Sequence, residues 1–81
     1  MTDDEIETAL REELHKIAPD IDVDDVDPLG DLREEFDIDS MDFLNLVSAL
    51  SKRLDLPMPE EDYGEMGSYN AMLAYLKVHA R

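Results

Sequence analysis

An all-α fold is what the sequence predicts: a small bundle of four helices, three main ones and one short. Three observations predict it. Apolar residues recur at spacings of three and four in three separate stretches, the mark of helices with one buried face. Strand signals are nearly absent; "DIDVDDV" alternates, but one short acidic strand without a partner makes no sheet. Finally, 81 residues allow one small domain, expected to span residues 1–81, with a thin core that buries about 60% of the unfolded surface.

The first helix is announced by Thr2 and Glu5, three residues apart, a capping box. Ile6, Leu10, Leu14 and Ile17 then form one face, and Pro19 stops the helix. From Pro19 to Asp39 the period is lost. This stretch is long for a connection and reads as an ordered loop, packed through Leu29, Leu32 and Phe36. A second long helix is expected from Ser40 to Leu54, with Phe43, Leu46, Val47, Leu50 and Leu54 as its stripe. Met41 and Leu44 widen that stripe. Pro57 and Pro59 break the chain, and "EEDYG" suits a short helix ended by Gly64. Ser68 is the expected N-cap of the last helix, with Tyr69, Met72, Leu73 and Leu76 inward. The expected core is Ile6, Leu10, Leu14, Ile17, Phe43, Leu46, Val47, Leu50, Leu54, Leu73 and Leu76.

Charge narrows the function. With 22 acidic and 7 basic residues, the formal net charge is -15. Phosphate-rich partners need basic patches, so nucleic acid and anionic membrane surfaces are poor partners, and no apolar run approaches a membrane span. A basic protein surface fits better. Hydrophobic content of 43% is that of a globular chain and not of an acidic tail. The absence of cysteine excludes disulfides, a thiolate nucleophile and Cys-based zinc. "MTDDEIET" is acidic where a signal peptide needs basic residues, so the expected location is cytoplasmic.

No catalytic constellation emerges, and the chain is not expected to be an enzyme. His15 and His79 lie near the chain ends and read as solvated surface residues. The stretch from Asp20 to Asp31 has the length of a calcium-binding EF-hand loop. However, it carries Asp25 where glycine is required, Asp27 at an apolar position, and Pro28. No metal site is expected there.

Ser40 remains. It stands between Asp39 and Met41 at the start of the second long helix, where a serine is ordinarily a cap. No G-x-S-x-G surrounds it, and its neighbours are acids, which argues against a nucleophile. A helix start nevertheless suits a covalently attached anion such as a phosphodiester.

At this point the sequence resembles the phosphopantetheine-bearing acyl carrier proteins. Asp39-Ser40-Met41 matches their Asp-Ser-Leu (or Met) attachment signature, and "LNLVSALSKRL" repeats the apolar spacing of their second helix. "LPMPEEDY" looks like their proline link into a short helix, and "GSYNAMLAYL" looks like their last helix. The resemblance covers residues 29–79. It implies that Ser40 carries 4'-phosphopantetheine, installed from coenzyme A by a phosphopantetheinyl transferase whose own site supplies Mg2+. The arm would then carry acyl groups as thioesters between enzymes of fatty acid, polyketide or specialised acyl metabolism. Such enzymes would present basic docking surfaces, and the carrier would act as a monomer. Asp39, Met41, Asp42, Leu44 and Tyr63 would be read by partners. Met41, Leu44, Met58, Tyr63, Met66 and Met72 would line a path for the acyl chain, since flexible Met side chains repack around varied guests.

Three features depart from the family. Asp37 stands where a glycine is common, and Tyr63 where a small residue is usual. The far half of the second helix carries Asn45, Ser51, Lys52 and Arg53 in place of glutamates. These leave an aminoacyl or peptidyl carrier, or a specialised acyl carrier, on equal terms with a carrier of primary fatty acid synthesis. Two non-covalent alternatives stand beside these: an acidic helical adaptor and a loose cation-binding module.

Overall fold

In a computed structural model describing residues 1–80, the chain is helical, with no strand among the described residues. Helix α1 (Asp3–Ile17) opens on Thr2. Its hydroxyl accepts from the Glu5 amide while the Glu5 carboxylate accepts from the Thr2 amide, so the capping box is complete. A 3-10 turn (Val23–Asp25) follows, then the single-turn α2 (Leu32–Glu35) and α3 (Ser40–Leu54). A short 3-10 helix (Glu60–Glu65) leads to α4 (Tyr69–His79), capped by Ser68, which accepts from the Ala71 amide. Gly64 does not end the short helix as expected. It lies inside it, and no glycine has positive φ, so none serves as a left-handed helix terminator.

Helix α1 packs on both α3 and α4, and the short 3-10 helix packs on α4. Ile6, Leu10, Leu14, Leu46, Val47, Leu50 and Leu76 are buried, as the helical spacing requires. Ile17, Phe43, Leu54 and Leu73 are only half-buried, at the edge of the core. The centre is completed instead by Leu32, Phe36, Met58, Met66, Met72 and Tyr75. Much of that group comes from short elements, where no helical period reveals which side faces in.

The segment between α1 and α3 is ordered by its own polar chemistry. Asp22, Asp27, Asp31 and Asp39 each accept a hydrogen bond from a backbone N–H two or three residues on, the local turn that short acidic side chains favour. Two long-range backbone bonds tie the segment to the start of α4: Leu32 N–H to Gly67 C=O (2.8 Å) and Asn70 N–H to Pro28 C=O (3.0 Å). Leu32 and Phe36 drop into the core, but Leu29, expected to join them, is exposed. The aspartates are thus turned toward backbone amides, and no metal-holding acidic group occurs among the described residues.

An ion-pair clasp joins α1 to α3. Arg53 donates to Glu13 at 3.0 Å and also pairs with Glu12, while Lys16 donates to Glu13 at 3.2 Å. Glu13 is buried. Burial pushes its carboxyl up, but the hydrogen bonds from Arg53 and Lys16 outweigh this and hold it below its ordinary value of 4.5. A depressed carboxylate stabilises the fold above the unfolded value and ceases to do so as pH falls through the folded one. Arg53→Met leaves Glu13 with one exposed partner and is expected to destabilise the fold at neutral pH. In urea denaturation the gap between variant and parent should narrow below pH 4.5. Relief of the overall charge by acid is common to both proteins and cancels in that difference. An unchanged gap would show that Arg53 acts through packing alone.

Candidate functional site

The turn that delivers Ser40 is built from α2. Asp37 N–H donates to Glu34 C=O (3.3 Å) and Ile38 N–H to Arg33 C=O (2.9 Å), the paired bonds of a helix that ends through a left-handed residue. That residue is Asp37, with φ of 52°. This conformation costs a residue with a β-carbon about 1 kcal/mol, least for Asp and Asn, and glycine nothing in sterics. Asp37→Gly is therefore expected to raise stability by about 0.5–1 kcal/mol in thermal or urea denaturation. Asp37→Asn removes the charge but keeps the β-carbon. An equal gain from Asn would assign the effect to charge instead of backbone.

Ser40 is not the cap. Asp39 is, accepting from the Asp42 amide at 2.8 Å, and Ser40 occupies the first helical position. The difference matters chemically. Ser40 is exposed, and its hydroxyl has no hydrogen-bond partner among the described residues. The backbone N–H groups of Ser40 and Met41 likewise have no acceptor there, as expected for the first turn of a helix. An exposed hydroxyl beside free N–H groups at the positive end of a 15-residue helix suits a covalently held phosphodiester. Ser40 has no base of its own among the described residues: the Asp39 carboxylate is engaged in the cap, and His79 stacks on Tyr75 at a centroid distance of 4.2 Å.

A groove of about 400 Å³ opens beside Ser40, between α3 and the short 3-10 helix. Leu32, Phe43, Leu44 and Tyr63 supply apolar wall, and Asp31, Arg33 and Glu60 supply charge. Phe43 and Tyr63 meet edge-to-face, with centroids 5.6 Å apart, across the two elements. Tyr75 donates to Asp62 at 2.7 Å and so ties the short helix to α4. A second concavity, on the other side of the serine, is lined by Arg33, Glu34, Asp37, Ile38 and Asp39 together with Ser40 and Asp31. A larger concavity, about 770 Å³, runs along α1 from Arg11 to Lys16 and the loop beyond, and shares no residue with the Ser40 grooves.

The residues singled out in the sequence fall into two groups. Asp39, Met41, Asp42 and Leu44 cluster on the first turns of α3, with Met41 66% and Leu44 44% exposed, and Tyr63 lines the groove together with Leu44. Met58, Met66 and Met72 are buried in the core and border neither Ser40 groove, and Met41 projects outward. Phe43 and Arg33 were not anticipated at the site. Phe43 had the spacing of a core residue, and Arg33 is a lone cation in "LREEF". Arg53, read as a basic end of the helix, is consumed by the clasp to Glu12 and Glu13. No helix among the described residues is long and apolar enough to cross a membrane.

A family model for the phosphopantetheine attachment site matches residues 4–76. No curated protein matches the chain.

Proposed function

Because the chain belongs to the phosphopantetheine attachment-site family, we propose that it is an acyl carrier whose arm is joined to Ser40. The observation that carries this reading is the free, exposed hydroxyl at the first position of α3, opening on an apolar groove. The arm supplies a terminal thiol for thioester formation, which a chain without cysteine does not itself provide. Attachment forms a bond from Ser40 Oγ to the β-phosphorus of coenzyme A, breaks the pyrophosphate link and releases 3',5'-ADP. The serine proton passes to a base on the transferase, since Ser40 has none beside it. The chain then acts as a carried substrate and not as a catalyst.

Residues 1–81 work as one cytoplasmic carrier domain, and partners with basic surfaces read Asp39 and Asp42 as charge and Met41, Leu44 and Tyr63 as apolar relief. The groove between Phe43, Leu44 and Tyr63 shelters the carried group, and the buried Met58, Met66 and Met72 lie further inside, where a longer chain has to displace them. An aminoacyl carrier is the second reading, favoured by the charged rim of Asp31, Arg33 and Glu60. Incubation with coenzyme A and a broad-specificity phosphopantetheinyl transferase should add the mass of one phosphopantetheine. Failure to load with any such transferase would overturn the proposal. Once loaded with a medium-chain acyl group, the protein should show shifted Phe43 and Tyr63 ring resonances. Rings that do not respond to acyl chains but do respond to an aminoacyl group would favour the second reading.

A further inference from the structure

We propose that Arg33 is a positioning residue that grips the phosphodiester of the arm and roots it at the mouth of the α3 groove. This rests on attachment at Ser40. Arg33 and Ser40 line both concavities flanking the serine, and the other charged residues lining them are Asp31, Glu34, Asp37, Asp39 and Glu60, all carboxylates. A diester at Ser40 is thus set among negative charges, with Asp42 two residues further on. Among the described residues, Arg33 is the one cation in the walls.

Its guanidinium is also available. Arg11, Lys16 and Arg53 are each committed to a carboxylate, whereas Arg33 makes no ion pair among the described residues although acids surround it. Asp31 and Asp39 are occupied in accepting from backbone amides, that of Arg33 itself among them, and neither pairs with its guanidinium among the described residues. The backbone position is fixed as well. Arg33 C=O accepts from Ile38 N–H at 2.9 Å, which closes the turn two residues before Ser40. A planar guanidinium matches the two non-bridging oxygens of a phosphodiester in a two-pronged contact, which a lysine reproduces only as a point charge. Together with the N–H groups of Ser40 and Met41, which have no acceptor among the described residues, it would supply donors to the phosphodiester oxygens.

The test compares unloaded and loaded protein by NMR, in the parent, Arg33→Gln and Arg33→Lys. On loading, the Nε–Hε resonance of Arg33 should shift in the parent while those of Arg11 and Arg53 stay in place. The ³¹P resonance of the loaded parent should differ from that of loaded Arg33→Gln, with Arg33→Lys between them. Salt at about 1 M, where the screening length falls to about 3 Å, should move the parent's resonance toward the Gln variant's. An unmoved Arg33 resonance, or one ³¹P position for all three proteins, overturns the proposal. So does a variant that loads more slowly but gives the parental ³¹P signal, because Arg33 then serves the transferase and not the arm. If mass spectrometry finds no loading at Ser40, the attachment reading fails first and this one with it.

Discussion

Ser40→Ala is expected to abolish loading while leaving the fold nearly unchanged. The hydroxyl is the acceptor of the arm in the proposed reaction, so its removal is a complete loss of the modified mass. The structural cost is small because Asp39, and not Ser40, caps α3. Ser40 Oγ contributes no hydrogen bond, the position is exposed, and alanine is the better helix former, so stability should change by less than about 0.5 kcal/mol. Asp39→Ala has the opposite signature: it keeps the acceptor hydroxyl but removes the cap, at a cost of about 1 kcal/mol. Intact mass and urea denaturation of the two variants therefore separate the chemical from the structural role of adjacent residues. An arm on Ser48, Ser51 or Ser68 would overturn the assignment. Each has an argument against it. Ser51 Oγ donates to Leu56 C=O at 2.6 Å, Ser68 is the cap of α4, and Ser48 lies two turns into α3, beyond the free amides.

The same adjacent pair shows which parts of the molecule were legible in the sequence. A capping box, a proline stop and a repeated three-four spacing are local codes, and they placed α1 and α3 where the structure has them. The Asp-Ser-Met signature pointed to the helix start, but it could not say which of Asp39 and Ser40 is the cap. Both residues are good caps, and only the dihedral angles at Asp39 decide between them. What escaped was set by distance along the chain. Arg53 finds Glu13 from 40 residues away, and Leu32 and Pro28 are held by the backbone of residues 67–70. In α2 and the short 3-10 helix there are too few residues for a period to declare a face. Leu29, in the loop before α2, was placed inside on its spacing to Leu32 and Phe36, and Met66, at the end of the short 3-10 helix, was not recognised as fully buried core. Asp37 is an intermediate case: its place relative to the Asp-Ser pair marked it as a position where glycine is common, and the positive φ gives the physical reason.

Phe36→Ala is expected to have the largest effect on stability of any single change outside the three main helices. Phe36 is 1% exposed and is among the largest fully buried side chains. Its truncation forfeits transfer free energy and leaves a cavity, at a cost of about 3–5 kcal/mol. A domain of this size has a total of roughly 4–12 kcal/mol, and a net charge of -15 works against it through self-repulsion. The variant should thus be largely unfolded at low ionic strength by circular dichroism. Added salt should restore part of the fold, because at about 1 M the screening length drops to about 3 Å and the repulsion is removed while the cavity remains. Phe36→Leu, which keeps most of the volume, should lose only about 1 kcal/mol. The effect reaches Ser40 through the backbone. Phe36 anchors the turn in which Ile38 N–H bonds Arg33 C=O, so in the salt-restored variant the Ile38 amide should exchange with solvent much faster than in the parent. Loading of Ser40 should slow in parallel, since the start of α3 is then no longer held in place. A cost below about 1 kcal/mol, or a parental exchange rate at Ile38, would show that the start of α3 is positioned by its own cap and not by the core beneath it.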